Sequence, residues 1–440
     1  MLPAEERNNI LAIERWGLTG LKSMEAACFY LINLKFLPDD TEGSFKDVTS
    51  FVAAFVGCNG LSELPKDLFK YATKVTTMEK AFQFVRSLKT LPEGLFANLT
   101  SITTFFQTFD NVGGDGVSQL ENLPYNLLGN MPNLTNVNRM FSGQQKLKYA
   151  PSDLFSKCPA ITDFGFLFQD SGLEMIPYGL FDNCPDAEVF AGTFAGTKIA
   201  GIPYGLFYNN KKAAHFGLTF WQCKDLETIP YDLFSQNTKA DFFYKTFAEC
   251  EKLTTIPQGV FDNITAVTDA EEMLQGCFSL KTLPAGLLKN ASLVTNFNKI
   301  FANCTSLTEV PGDILNGASI NGTTMSMFAE CRSLVKVGEG LFDTFTEATG
   351  FSSTFNNCTS LKSVPVSLFD NCRKVFSFSM VFSGCTSLEG ESPYTMIDAD
   401  KVHLYERENY ASDFTSPFGF GCFMDCTKLD DYATIPDMWK

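Results

Sequence analysis

The chain has 440 residues and a formal net charge of −16, from 34 basic and 50 acidic residues, and its longest basic run is Lys211-Lys212. Polyanion binding depends on clustered positive charge, so this pattern argues against a nucleic-acid partner. No apolar run approaches the roughly 18 to 20 residues that span a bilayer, and Pro3, Glu5 and Glu6 stand where a signal peptide has basic and apolar regions. We expect no transmembrane segment, and membrane anchoring only through a lipid signal that has been removed.

Residues 1–24 are the first predicted element, an N-terminal cap. They contain the apolar residues Ile10, Leu11, Ile13 and Trp16 at helix-like spacing. A cap is expected because the residues that follow form a repeat protein, whose terminal core must be shielded from water.

Residues 25–390 carry a repeat in which one proline marks each period. Most successive prolines are 26 or 27 residues apart, and the interval from Pro92 to Pro124 is five residues longer than 27. A fixed period of this length is typical of a solenoid, in which each repeat stacks on its neighbours. The series is Pro38, Pro65, Pro92, Pro124, Pro151, Pro177, Pro203, Pro230, Pro257, Pro284, Pro311, then Gly338 in place of a proline, and Pro365.

Within one period, most apolar residues recur every third position, which fits neither a long helix nor a long alternating strand. Each coil must therefore consist of short extended pieces joined by tight corners. The segment Pro-x-Gly-Leu-Phe, as at residues 177–181 and 203–207, predicts a turn or one helical turn, because Gly adopts backbone angles that other residues avoid. We predict an α/β-type repeat solenoid of about fourteen 27-residue coils, right-handed, with short parallel strands and turn or short-helix corners.

Three columns of the repeat, two of phenylalanine and one of cysteine, have the character of core positions. A pair of phenylalanines four residues apart recurs in the second half of the period, and each buried Phe contributes roughly 1.5–3 kcal/mol, so we interpret the pairs as core packing. Seven cysteines recur at 27-residue intervals, in a column where other coils have Val85, Ser171 or Thr197. We predict free, buried thiols there, with disulfides and a metal site as the alternatives. The cysteines are Cys223, Cys250, Cys277, Cys304, Cys331, Cys358 and Cys385, and the Phe pairs include Phe105/Phe109, Phe164/Phe168, Phe216/Phe220 and Phe378/Phe382.

Two insertions interrupt the period. The Gly-rich stretch at residues 111–116 supplies the excess between Pro92 and Pro124, and we expect it to project as a loop because the flanking core columns must keep their register. A larger insertion lies between Cys385 and Cys426 and includes the alternating segment at residues 401–405. This segment predicts an added strand or hairpin that covers the last coil, within a C-terminal cap at residues 391–440.

The repeat phrase carries a family resemblance. Residues 304–307, Cys-Thr-Ser-Leu, precede Val310-Pro311, and residues 358–361 repeat the phrase before Val364-Pro365. This phrase resembles the BspA-like leucine-rich repeats in surface proteins of gut and oral anaerobic bacteria. The resemblance extends over nearly the whole chain, including residues 13–17 and 23–25 at the entry and 401–407 and 435–437 at the exit. It implies an exported protein of the cell surface or outer membrane, often a lipoprotein, active in adhesion or in capturing proteins or glycans, without shared catalytic residues.

The residues offer little for catalysis. The two histidines, His215 and His403, lie about seven coils apart, so we expect no His-based triad and no two-His metal site. Adjacent acids such as Glu271-Glu272 and Asp39-Asp40 have the residue types of a glycosidase pair, but on a repeat surface such acids are usually solvated charge. We therefore predict a protein that is not an enzyme and has no cofactor.

Outward positions of the repeat are the candidates for binding. Stacked coils place equivalent residues about 4.8 Å apart, so these positions form rows that can meet an extended surface. Both rows are rich in Thr, Asn and Asp and mostly lack aromatic residues, which favours a polar protein or glycan face. The candidate partner-binding residues are Thr104, Asp163, Asp269 and Asn296 before the first core Phe, Thr228, Thr255 and Thr282 before the proline, and Asn111 and Asp115 in the inserted loop.

Taken together, these features favour a cell-surface recognition protein that binds a protein or peptide partner through the solenoid surface. The finer hypothesis is an accessory lipoprotein of an outer-membrane nutrient-uptake complex. A glycan-binding surface protein is an alternative, for which exposed aromatic platforms are the expected sign. A purely structural spacer or decoration protein is the second alternative.

Overall fold

The computed structural model of the chain describes residues 8–17, 20–113, 116–318 and 320–440. The chain divides into two compact units, Met1–Ala213 and Ala214–Lys440. Each unit is a stack of coils, because backbone partners lie about one period apart. In the first unit, Thr77 pairs in parallel with both Ser50 and Thr104, and in the second Asp269 pairs in parallel with Phe242 and Asn296. The predicted repeat solenoid with short parallel pairings is thus confirmed within each unit.

Most of this pairing consists of single parallel bridges, with a few short strands in the second unit. β1 (Glu309–Val310) pairs with β3 (Lys336–Val337), and β2 (Gly322–Thr323) with β4 (Ala348–Gly350), both in parallel. β5 (Tyr394–Ile397) and β6 (Asp400–His403) form an antiparallel hairpin. The described residues contain three 3-10 helices, Leu404–Asn409, Tyr432–Thr434 and Asp437–Trp439, and no α-helix.

The corners are turns, so the α/β-type description and the short-helix corners predicted from the sequence are wrong. The reason lies in the backbone of the Pro-x-Gly-Leu-Phe segments. Gly179 and Gly205 have φ of 76° and 68°, and a left-handed residue in this place interrupts helical hydrogen bonding. The turn alternative for these segments is confirmed.

A turn segment around the two core phenylalanines of each coil links neighbouring coils. In residues 241–250, Lys245 and Glu249 have φ of 53° and 60°, and their N–H groups donate to the carbonyls of Glu271 and Gln275 in the next coil at 3.0 and 2.7 Å. A left-handed conformation costs about 1–2 kcal/mol in a residue other than Gly, a cost that these hydrogen bonds help to offset. The equivalent residues are left-handed in other coils of both units, among them Ala53, Lys80, Gln107, Arg139, Glu272, Asn303, Ser353 and Met380.

The core is built from the predicted phenylalanine columns. In the first unit, the rings of Phe82 and Phe109 are nearly parallel with centroids 5.3 Å apart, and in the second unit the Phe328 and Phe355 rings stack at 5.5 Å. All four side chains are buried. These rings hold successive coils together, which confirms that the columns are core and not a ligand platform.

The cysteine column is buried beside these rings, as predicted. The thiol of Cys304 donates to the carbonyl of Leu274 at 3.3 Å, and the thiol of Cys358 to the carbonyl of Phe328 at 3.1 Å. Burial raises the pKa of the Cys304 thiol to about 12. All the described cysteines are free and buried.

The N-terminal residues 8–17 contain no helix, although their apolar spacing resembles that of a helix. Ala12 pairs in parallel with Phe36, and the Ile13 N–H donates to the Phe36 carbonyl at 3.1 Å. The Trp16 ring lies 4.8 Å from the ring of Phe45 and its indole N–H donates to the Pro38 carbonyl at 2.9 Å. The segment therefore packs on the first coil through one aromatic side chain.

The C-terminal insertion forms the predicted hairpin, and its strand ends at His403. Arg407 in the following 3-10 helix is buried and donates to the carbonyls of Phe369 and Cys372 at 2.9 and 3.1 Å. Its guanidinium also lies 4.4 Å from the centre of the Phe414 ring. One buried side chain thus fastens the insertion to the coil beneath it.

Candidate recognition surface

The predicted row before the first core phenylalanine is part of the turn architecture. Thr104, Asp163, Asp269 and Asn296 are half-buried, and a side-chain oxygen of each accepts the backbone N–H two residues further on. The distances are 3.0 Å for Thr104, 2.7 Å for Asp163, 2.8 Å for Asp269 and 3.0 Å for Asn296. Ser, Thr, Asn and Asp are the residues that close such local turns, so their recurrence has a structural cause. Partner binding by these four side chains remains a prediction.

The structure describes one of the two loop candidates. Asn111 is only 2% exposed, because its N–H donates to the Ser142 carbonyl at 2.9 Å and its side-chain amide to the Phe109 carbonyl at 3.2 Å. A side chain buried to this extent offers little surface to a partner, and partner binding by Asn111 remains a prediction. Asp115 lies outside the described residues.

The second predicted row is exposed to solvent. Thr228, Thr255 and Thr282 in the second unit are exposed, and Thr255 and Thr282 occupy neighbouring coils that pair in parallel. Glu309 and Lys336 continue the row with an ion pair of 2.8 Å. The row therefore presents hydroxyl groups and paired charges along one side of the unit.

A row of exposed tyrosines in the first unit was not foreseen. Tyr125, Tyr178 and Tyr204 each follow the marker proline of their coil and are 64%, 75% and 63% exposed. We call these three residues the tyrosine row. Neither of the two candidate rows includes this position, and the recurring Pro-Tyr dipeptide is the sequence signal that identifies it. Tyr231 of the second unit also follows a proline and is 64% exposed.

Small and neutral polar residues accompany the tyrosine row. Ser152 takes the same position in the coil between those of Tyr125 and Tyr178, and it is exposed. Gly201 is exposed, with open space where a Cβ atom would lie. Asn183 and Asn209 in the corner turns are exposed as well. Rigid aromatic rings among Ser, Gly and Asn are the composition of protein-recognition loops.

The first of the two acid pairs, Asp39 and Asp40, accepts backbone hydrogen bonds within the fold. Asp40 accepts the N–H groups of Ser44 and Phe45 at 2.7 and 3.1 Å, and Asp39 accepts the N–H of Asp67 at 2.8 Å. Asp39 and Asp40 also line a cavity of about 300 Å³ with Glu14, Arg15, Trp16 and Glu42.

Glu272, the second member of the other pair, bridges two lysines. Its carboxylate oxygens lie 2.9 Å from Lys245 Nζ and 3.0 Å from Lys299 Nζ, in the coils on either side. Burial of Glu272 raises the pKa of its carboxyl, but the hydrogen bonds and charges of the two lysines outweigh this effect, so the pKa lies below its ordinary value. This carboxylate links neighbouring coils, and its ion pairs with two lysines do not suit a general acid.

One cluster, which the sequence analysis did not single out, has the residue types of a hydrolase. Ser392 Oγ lies 2.8 Å from His403 Nδ1 and 2.5 Å from Asp431 Oδ2. In a catalytic triad, Ser and Asp contact opposite nitrogens of the imidazole, whereas here both approach Nδ1, with Asp431 Oδ2 at 3.5 Å. Ser392 is also completely buried. The cluster ties the hairpin to the last coil and does not activate a nucleophile.

The described residues contain no group of His, Cys, Asp and Glu that suits a metal ion. Their helices are all too short or too polar to traverse a bilayer. His215 is exposed, and its Nδ1 lies 3.3 Å from Asp241 Oδ1.

Comparison with protein families matches residues 241–364 to a family described as a Mycoplasma protein of unknown function, DUF285. The matched residues are less than half of the chain and belong to the second unit. No curated protein matches the chain.

Several solved structures are similar to the chain at low identity. A chain of the Drosophila Toll–Spatzle complex shares 14% identity at a TM-score of 0.40, with 76% of this chain and 38% of that chain covered. The TLR13 chain of a TLR13-ssRNA13 complex shares 14% identity at a TM-score of 0.34, with 96% and 64% covered. A leucine-rich repeat protein from Eubacterium ventriosum shares 14% identity at a TM-score of 0.36, with 69% and 78% covered. The match thus spans less than two thirds of the Toll and TLR13 chains, and the assignment of a solenoid rests on the coil-to-coil pairing of this chain.

Proposed function

We propose that the chain is a non-catalytic recognition protein of the cell surface that binds a protein or peptide partner through outward residues of its coils. The tyrosine row of the first unit carries the proposal. Tyr offers a large, rigid and amphipathic contact area at low cost in conformational entropy, and it is enriched among residues that dominate binding energy. Side chains that are 63% to 75% exposed contribute little to the core, so their recurrence calls for a role outside it.

The resemblance to BspA-like leucine-rich repeats supports the finer part of the proposal. Proteins of that family are exported and often lipid-anchored, and they capture other molecules at the cell surface. We propose on this basis that the chain is an accessory lipoprotein of an outer-membrane nutrient-uptake complex, with a role in adhesion as the related possibility for a protein of this kind.

The proposal is tested by capture from a bacterial envelope extract. The wild-type chain is compared with a triple variant carrying Tyr125→Ser, Tyr178→Ser and Tyr204→Ser, and with the control Tyr71→Ser, which replaces a tyrosine that is 40% exposed outside the row. We expect an envelope protein that the wild type and the control retain and the triple variant loses. Equal retention by all three chains, or no retained protein, contradicts the proposal.

A glycan partner is the second candidate, because the same tyrosines supply flat ring faces on which sugars stack. Asn183 and Asn209, exposed in the corner turns of the coils that carry Tyr178 and Tyr204, supply neutral hydrogen-bonding groups. A glycan array that gives saturable binding to the wild type and none to the triple variant would replace the protein proposal. Failure of both assays would leave the structural-spacer alternative.

A further inference from the structure

The last coils of the second unit differ from the preceding ones in charge. At the register positions around the first core phenylalanine, residues 322–326, 349–353, 376–380 and 417–421 contain no charged side chain. The chain as a whole is 19% charged, so the gap is not a matter of composition. The equivalent residues 241–245, 268–272 and 295–299 carry Asp241, Lys245, Asp269, Glu271, Glu272 and Lys299.

Exposed apolar side chains gather where the charges are missing. Phe376, Met380, Phe418, Phe420 and Met438 are 50%, 36%, 50%, 51% and 51% exposed. We call these five residues the terminal apolar face.

Their backbones are joined by hydrogen bonds, so the five residues form one patch. The Phe418 N–H donates to the Phe376 carbonyl at 2.8 Å, and the Met380 N–H to the Phe420 carbonyl at 3.0 Å. Gly421, next to Phe420, donates to the Met438 carbonyl at 2.9 Å. The rings of Phe418 and Phe420 are nearly parallel, with centroids 6.5 Å apart.

The polar groups between these side chains are partnered with one another. Ser352 Oγ and Ser377 Oγ are 3.1 Å apart, and Ser377 Oγ donates to Ser379 Oγ at 3.4 Å. The four uncharged stretches therefore offer no charge to an incoming ion, and the charged side chains nearest in sequence to the face are Asp437 and Lys440 on either side of Met438. A charged group buried against the face would lose its hydration without compensation, which costs several kcal/mol.

We infer that the terminal apolar face is a docking surface for a partner protein whose contact region is apolar and uncharged. Interface cores are depleted of charged residues and enriched in aromatic residues and Met, which is the composition seen here. Met and Phe side chains on an adaptable surface also suit protein partners. The tyrosine row belongs to the other unit, so this surface stands independently of the proposed function.

A peptide selection on the full chain tests the inference. A phage-displayed library of random peptides is selected against the wild-type protein, and the enriched peptides are measured against a double variant, Phe418→Ser and Phe420→Ser. The control is Phe242→Ser, which replaces an exposed phenylalanine at the register position of Phe418, next to Asp241. We expect enriched peptides that are apolar and poor in charge, with affinity at least tenfold lower for the double variant and unchanged for the control.

Several outcomes overturn the inference. One is the absence of peptides whose binding depends on Phe418 and Phe420, and another is a set of enriched peptides rich in charge. Binding of phosphatidylcholine vesicles that the double variant abolishes assigns the face to a lipid surface instead. A wild-type dimer in sedimentation that the double variant dissociates assigns it to a second copy of the chain. Circular dichroism of both variants shows that each result reflects the face and not loss of folding.

Discussion

At the scale of single residues, polar side chains of the two outward rows differ in role, since one row closes turns and the other is exposed to solvent. Asp269 accepts the Glu271 N–H at 2.8 Å, whereas Thr255 is exposed on a short parallel pairing. We expect Asp269→Ala to lower the free energy of unfolding by about 1 kcal/mol, as loss of a capping side chain does. Thr255→Ala, the control, should change it by less than about 0.5 kcal/mol. Urea denaturation measures both, and equal effects would contradict the assigned role of Asp269.

The cysteine column gives a second prediction for single residues. In native protein at pH 8, a thiol reagent should label few of the cysteines, because burial excludes the reagent and raises the pKa of the thiols, as for Cys304. All of them should react in urea. Replacing Cys304 with Ser should cost about 1–3 kcal/mol, since a buried hydroxyl demands a better hydrogen bond than a thiol does. Disulfides between neighbouring coils in mass spectra of the native protein would reverse this assignment.

Glu272 gives a prediction on pH dependence. Its folded-state pKa lies below the ordinary value of 4.5, so the charged form contributes stability above about pH 4.5. This contribution is lost as the pH falls through the folded-state pKa. We expect the difference in unfolding free energy between wild type and Glu272→Gln to be largest near neutral pH and to shrink below pH 4.5. The control Glu347→Gln removes an exposed pair with Lys374 and should have little effect at any pH.

Single residues also show where sequence reasoning ends. The small residue types in the cysteine column predicted its burial, because a core position restricts volume. The capping role of Thr104 was not predictable from the row alone, since it depends on the local turn that brings the Phe106 N–H to the hydroxyl. The exposure of Tyr178 was not predicted, because a recurring aromatic residue normally indicates a core position. The place of Tyr178 directly after the proline is what turns its side chain outward.

At the scale of elements, the insertion at the C-terminal end depends on Arg407. Burial lowers the pKa of its guanidinium to about 10, yet the side chain remains charged at neutral pH and binds two carbonyls. We expect Arg407→Lys to cost about 1–3 kcal/mol, because an ammonium group lacks the forked geometry that reaches both. Hydrogen exchange in residues 394–410 should become faster. The control Arg332→Lys, at an exposed arginine, should leave this exchange unchanged.

The hairpin and the N-terminal segment show that an apolar pattern predicted secondary structure correctly in one case and not in the other. The alternation at residues 401–405 predicted a strand, and a strand forms up to His403 because Tyr394–Ile397 provides a partner of matching length. The apolar residues near Ile13 have helical spacing but form no helix, because pairing with Phe36 satisfies their backbone groups. The sequence pattern of a short segment does not reveal whether a strand edge stands beside it.

At the scale of the whole molecule, the register of the coils governs tolerance to insertion and deletion. Removing residues 112–116 restores a 27-residue interval and retains the buried Phe109 and Leu120. We expect this deletion to leave folding intact, with an unfolding free energy within about 1 kcal/mol of the wild type. Removing residues 192–196, the control, deletes the core Phe194 and should prevent folding of its unit. Circular dichroism and urea denaturation measure both variants.

The period of 27 residues was enough to predict stacked coils, because a fixed repeat places each apolar position next to its own copies in the neighbouring coils. The corners were less predictable. Residues such as Lys245 and Glu249 carry no mark of their left-handed backbone, which is imposed by hydrogen bonds to the next coil. The proposed recognition surface was the least predictable, because exposed positions are free of packing constraints.

The hydrogen bonds of the turn segment give each coil a direction. The N–H groups of Lys299 and Asn303 donate forward to Met325 and Ala329, and in the last coil those of Gly421 and Phe423 donate to Met438 and Trp439. Each of these coils thus donates to the next one in the same head-to-tail sense, and the coil of Gly421 and Phe423 finds its acceptors in the carbonyls of Met438 and Trp439. Duplication of one full period in the gene would add a coil whose backbone donors and acceptors already match those of its neighbours. Such proteins can therefore change length by whole coils without substitutions in the adjacent coils.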